Sequence, residues 1–79
     1  MEIKVLGSGC ANCKKLLANV QTAVQELKID ANILYVTDFM EIAKTGLMRT
    51  PGLIINGKII SYGRVLSSDE AKKLIVENK

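Results

Sequence analysis

Residues 7–16 read GSGCANCKKL and hold both cysteines, Cys10 and Cys13, of a chain that contains no histidine. The stretch before it, EIKVL at 2–6, alternates around Ile3 and Val5 and runs into the turn Gly7-Ser8-Gly9, the pattern of a strand about to end. After it, Cys13, Leu16, Leu17, Val20, Val24 and Leu27 recur at intervals of three and four, the period of a helix covered on one side. The spacing therefore predicts a strand, a glycine turn, and a helix from Cys10 to Leu27 with the first cysteine at its start.

The rest of the chain continues the alternation of strand and helix. ANILYV at 31–36 is short and rich in strand formers, and Asp38-Phe39-Met40-Glu41 after Thr37 fits an N-cap with Glu at the third helical position. Phe39, Ile42, Ala43 and Leu47 are expected to form the inward stripe of this second, shorter helix. Beyond Pro51, the runs LII and KII flank Asn56-Gly57, a pair that tolerates the positive φ angles of a tight hairpin turn. Ser67 with Glu70 has capping-box spacing, so Ala71, Leu74 and Ile75 are expected inside a last helix, with Lys72, Lys73 and Glu77 facing out. The predicted order is β-α-β-α-β-β-α, an α/β fold with three helices on a four-stranded mixed sheet. Its first two strands are parallel across a right-handed crossover, and the hairpin is antiparallel.

At 79 residues, 48% of them hydrophobic and one of them proline, the chain has room for one domain, 1–79, with a small core. The formal charge of +3 is scattered from Lys4 to Lys79 without a dense basic run, and aromatics are few, so nucleic acid is not an expected partner. The apolar run near the N-terminus is too short for a signal peptide, and no segment has the length of a bilayer span. A cytoplasmic monomer that touches no membrane is expected.

In a reducing compartment, two cysteines this close together are not a permanent staple. On a helix, side chains at i and i+3 lie on one side about a turn apart, close enough for reversible bonding. Cys10, facing the positive end of the helix, is expected to be the more acidic and more accessible thiol, and Cys13 leans toward the apolar stripe. Lys14 and Lys15 add positive charge nearby, although a lysine pair on a helix is also an ordinary solvated surface. CxxC beside a βαβ pattern is a redox signal. Inert burial of both cysteines is the bland alternative.

Cys10-Ala11-Asn12-Cys13, Thr50-Pro51 ahead of the hairpin, and Gly63 after Ser61-Tyr62 together resemble the thioredoxin and glutaredoxin superfamily, most closely its very small archaeal and bacterial redox-active disulfide proteins. The likeness covers essentially the whole chain. It implies a thioredoxin-like fold and a thiol–disulfide oxidoreductase without cofactor or metal. It also implies catalysis by Cys10 and Cys13, a cis Pro51 against the pair, and a substrate segment received by Thr50, Pro51 and Gly63. The implied partners are a disulfide-containing protein and, as electron donor, a thioredoxin-reductase-like enzyme or a small thiol. Typical thioredoxins carry Trp before the first cysteine and Gly-Pro between the two, and glutaredoxins carry Pro-Tyr between them, where this chain has Gly9 and Ala11-Asn12. No acidic residue stands out as a buried proton acceptor, and Asp30 is expected only to cap a turn.

Two other function classes use the same dithiol. A soft-metal chaperone or sensor holds copper or a metalloid ion between two thiolates. Such domains, however, run β-α-β-β-α-β and place Met two residues before the first cysteine, where this chain has Ser8, and SDEAKKLIVENK at 68–79 reads as a terminal helix. A regulatory module would change its affinity for a partner on oxidation, through surface residues such as Tyr62 and Arg64, which at a strand end are also ordinary surface.

Overall fold

The computed structural model describes residues 1–7, 11–46 and 49–78. Along the chain these form β1 (Glu2–Leu6), α1 (Ala11–Leu27), β2 (Asn32–Val36), α2 (Phe39–Lys44), β3 (Gly52–Ile55), β4 (Lys58–Tyr62) and α3 (Ser68–Glu77). The sheet order is β2-β1-β3-β4, with β1 and β2 parallel and the β1–β3 and β3–β4 pairs antiparallel. This is the element order and mixed sheet expected from the sequence. A helix at the C-terminal end, rather than a strand, separates the fold from the metal-chaperone order.

Alternation along the strands assigns each face. Ile3 and Val5 of β1, with Leu53 and Ile55 of β3, join Leu16, Val20 and Ala23 of α1, and Leu66, Ala71 and Ile75, in the main core. One residue out of phase, Leu6 and Ile54 point to the other face, where Ile42 of α2 and Val36 meet them. A shift of one residue in any strand would exchange these two sets, so burial on both faces fixes the register. Among the described residues, no helix is long and apolar enough to cross a membrane.

Local chemistry sets the element ends. The turn between β3 and β4 places Asn56 at φ 49° and Gly57 at φ 85°, the left-handed pair of a type I′ turn. The Asn56 side-chain oxygen also accepts from the Glu2 N–H at 3.0 Å, tying the hairpin to β1. At α2, the Asp38 carboxylate accepts from the Met40 N–H at 2.9 Å. At α3 the full capping box forms: the Glu70 N–H donates to Ser67 Oγ at 3.1 Å, and the Ser67 N–H donates to the Glu70 carboxylate at 3.3 Å. That backbone N–H holds the Glu70 carboxyl below its ordinary value; desolvation opposes it, and the Arg64 guanidinium and the Ser67 hydroxyl add to the lowering.

Two expectations fail. Of the proposed α2 stripe only Ile42 is buried; Phe39 is 80% exposed, Ala43 is exposed, and Leu47 lies outside the described residues. A helix of six residues has fewer than two turns, and the apolar patch under it, Leu6, Ile54 and Val36, receives one side chain. Lys72 was expected to face out but is half-buried between the two helices, ion-paired with Glu26 of α1 and, at 3.8 Å, with Asp69. Its hydrogen bond to Glu26, opposed by partial burial, pushes the Lys72 pKa above the ordinary lysine value.

Candidate active site

The register gathers the described members of the predicted site, Cys13, Thr50, Pro51 and Gly63, at one end of the sheet. Leu6, the last residue of β1, pairs with Gly52 of β3, and Gly52 pairs with Tyr62 of β4. The segments just beyond these strand ends, Gly7, Thr50-Pro51 and Gly63, are therefore neighbours, although they are far apart in sequence. Helix α1 starts at the same end, because the short link from β1 leads into it. The Gly7 N–H donates to the Val36 carbonyl at 3.0 Å, which extends the β1–β2 pairing to this end.

Cys13 is the third residue of α1 and is fully buried, at 0% exposure. Its sulfur lies against the Gly7 main chain: a side-chain Cβ on Gly7 would fall 2.3 Å from Cys13 Sγ. Cys10, the other predicted catalytic residue, lies outside the described residues, as do Ser8 and Gly9.

The Thr50–Pro51 peptide bond is cis, as the family resemblance implied. Thr50 is exposed and Pro51 buried. The Pro51 carbonyl accepts from the Gly63 N–H at 2.9 Å, so two of the three proposed substrate-contact residues are bonded directly to each other. Gly63 has φ +73°, and a Cβ there would lie 3.2 Å from Arg49 Cδ. Glycine is favoured at 63 chiefly because a side chain would be strained at that φ; the contact with Arg49 involves an exposed, flexible side chain that can shift. Arg64 is engaged with Glu70, whereas Tyr62 is 57% exposed at the same end of the sheet.

Electrostatically the site is spare. All eight acidic residues of the chain are exposed, Asp30 among them, and none is a buried proton acceptor beside Cys13. Among the described residues no polar or charged residue is buried, and no group of three or more His, Cys, Asp or Glu is arranged to hold a metal ion. The Tyr35 hydroxyl is buried with no hydrogen-bond partner among the described residues, a feature that no sequence motif marks. The sequence marks Gly7 only as part of a turn; the signal that points to it is a glycine closing a strand three residues before CxxC.

A family model described as Thioredoxin domain matches residues 1–76. A thioredoxin of Methanothermobacter thermautotrophicus is 41% identical over 75 residues, covering 95% of this chain and 97% of the relative. A thioredoxin of Methanocaldococcus jannaschii is 41% identical over 71 residues, covering 90% of this chain and 81% of the relative. The structure of thioredoxin 1 from Thermosipho africanus superposes with a TM-score of 0.65 at 24% identity, covering 98% of this chain and 92% of that one, and shows a shared fold.

Proposed function

Because the chain belongs to the thioredoxin domain family and is on that ground a thiol–disulfide oxidoreductase, we propose that Cys10 is its attacking nucleophile and Cys13 its resolving thiol. The observation that carries this division is the complete burial of Cys13. A thiol that attacks a disulfide on another protein must be reached from solvent as thiolate, and burial in apolar surroundings disfavours the charged form. A buried thiol suits an intramolecular second step instead. Cys10 immediately precedes the first residue of α1, whose positive end favours a thiolate beside it.

The exchange runs in two displacements. The Cys10 thiolate attacks one sulfur of the partner's disulfide; that S–S bond breaks, one partner thiolate leaves and takes a proton from water, and Cys10 is joined to the partner by a mixed disulfide. Cys13 gives its proton to solvent and attacks the Cys10 sulfur. The Cys10–Cys13 bond forms, the mixed disulfide breaks, and the second partner thiolate is released and protonated. Two electrons pass from the dithiol to the partner, and a thioredoxin-reductase-like enzyme or a small thiol restores it. Thr50, Pro51 and Gly63 border the site at the sheet end and would receive the extended segment that carries the partner's cysteine.

The experiment is a trapping pair. Cys13→Ser incubated with oxidised protein substrates should accumulate mixed disulfides through Cys10, read by intact mass and reversed by dithiothreitol. Cys10→Ser should accumulate few or none. Equal trapping by the two variants, or none by Cys13→Ser, contradicts the assignment.

A further inference from the structure

Building on the dithiol exchange proposed above, we propose that Gly7 is a positioning residue for the resolving thiol: the space its missing side chain would fill is the seat of the Cys13 sulfur. A Cβ on Gly7 would lie 2.3 Å from Cys13 Sγ and 2.6 Å from Cys13 Cβ, separations that non-bonded atoms do not sustain. Cys13 Cα, at 3.7 Å, would be in ordinary contact. The collision is thus with the cysteine side chain and not with the helix backbone.

Glycine is not at this position for its backbone freedom. Among the described residues the positive-φ glycines are Gly46, Gly57 and Gly63, and Gly7 is not one of them. An alanine could adopt the Gly7 backbone conformation but would not fit beside the sulfur. This is a close approach that only a residue without Cβ permits.

Neither side can easily withdraw. Gly7 is buried, and its N–H is held by the Val36 carbonyl; Leu6 before it is fully buried and paired with Val36 and Gly52. On the helix side, Leu16, one turn beyond Cys13, anchors α1 in the main core at 0% exposure. In the mixed-disulfide intermediate, where Cys13 is a thiol, a methyl at position 7 would therefore be accommodated by moving Cys13 Sγ through rotation about its side-chain bond.

That displacement acts on one chemical step. In resolution, Cys13 sulfur must approach along the line of the Cys10–partner S–S bond; the Cys10–Cys13 bond forms as the other breaks, and the electron pair leaves on the partner's thiolate, which water protonates. The first attack, by Cys10 on the partner, uses no atom of Cys13. Gly7→Ala should slow resolution and spare attack.

Reduced protein is mixed in a stopped-flow instrument with equimolar bis(nitrobenzoate) disulfide, which releases one coloured thiolate on attack and a second on resolution. Gly7→Ala is expected to slow the second phase fivefold or more, with the first phase within threefold of wild type. Val20→Ala, which opens a cavity further along α1, controls for general loosening and should leave both phases within threefold. A second phase slowed less than fivefold by Gly7→Ala, or slowed as much by Val20→Ala, overturns the inference. If Gly7→Ala does not fold, the same substitution in a Cys13→Gly background decides: recovered cooperative unfolding supports exclusion of the methyl by the cysteine side chain, and continued failure to fold overturns it. A wild-type protein that releases no second thiolate defeats the dithiol reading itself, independently of Gly7.

Discussion

Gly63→Ala tests whether the loop facing Pro51 depends on a left-handed glycine. At φ +73° an L-residue carries a backbone cost of roughly 1–2 kcal/mol. Against this, Gly→Ala removes freedom from the unfolded chain, an offset of about 0.4–1 kcal/mol. The new methyl would also meet Arg49 Cδ at 3.2 Å and Arg49 Cβ at 3.4 Å, but Arg49 is exposed and its side chain can yield by a few tenths of an ångström. The net is a destabilisation of about 1 kcal/mol, which in a domain of this size lowers Tm by about 4–8 °C. The assay is thermal unfolding followed by circular dichroism, with Gly46→Ala and Gly57→Ala alongside. Those glycines have φ +80° and +85°, and a Cβ at either would have nothing within 4 Å, so they report the backbone cost alone. Gly63→Ala should fall at least as far as they do. A Gly63→Ala protein as stable as wild type, with the two controls destabilised, would refute the reasoning.

Other substitutions probe separate parts of the account. Tyr35→Phe should leave Tm unchanged or raise it, because the buried hydroxyl it removes has no partner to lose; a fall of more than about 1 kcal/mol would reveal a bond the structure lacks. Ser67→Ala should cost about 1 kcal/mol by removing the cap acceptor of α3, measured by urea unfolding. Since the Glu70 carboxyl is held below its ordinary value in the fold, its contribution is present above the usual glutamate range and is lost as pH falls through the folded value. Glu70→Gln should therefore flatten the acid limb of a stability–pH curve. Asp30→Asn should leave disulfide exchange within twofold of wild type, since that carboxylate is exposed and serves no buried thiol; a tenfold loss would overturn this.

How much could be read in advance depended on whether the deciding contacts were local. The Asn56-Gly57 turn and the Ser67–Glu70 capping box are written within four residues, and both formed as expected. The α1 stripe was equally legible, because seventeen residues give the helical period room to show; only Ala23, small and ambiguous, was missed. Helix α2 was misread because six residues carry too little periodicity to distinguish a stripe from a single anchor, so exposed Phe39 looked internal. Lys72 belongs to an interhelical pairing with Glu26 that no local pattern encodes. At the site, CxxC and Thr50-Pro51 stood out as motifs, and the cis bond was implied by family resemblance alone. The contacts of Gly7 with Cys13 and of Gly63 with Pro51 depend on sheet register, which brings distant segments together, and so became visible only in three dimensions.

The central claim, that Cys10 and Cys13 form one reversible two-electron couple, is tested most directly by redox titration of the purified protein in dithiothreitol buffers, with free thiols counted by mass after alkylation. A single transition is expected between a species with two alkylated thiols and a monomeric species with none, at a potential near or below the thioredoxin value of about −270 mV. Thiols that stay alkylatable throughout, or oxidation only to intermolecular dimers, would contradict it.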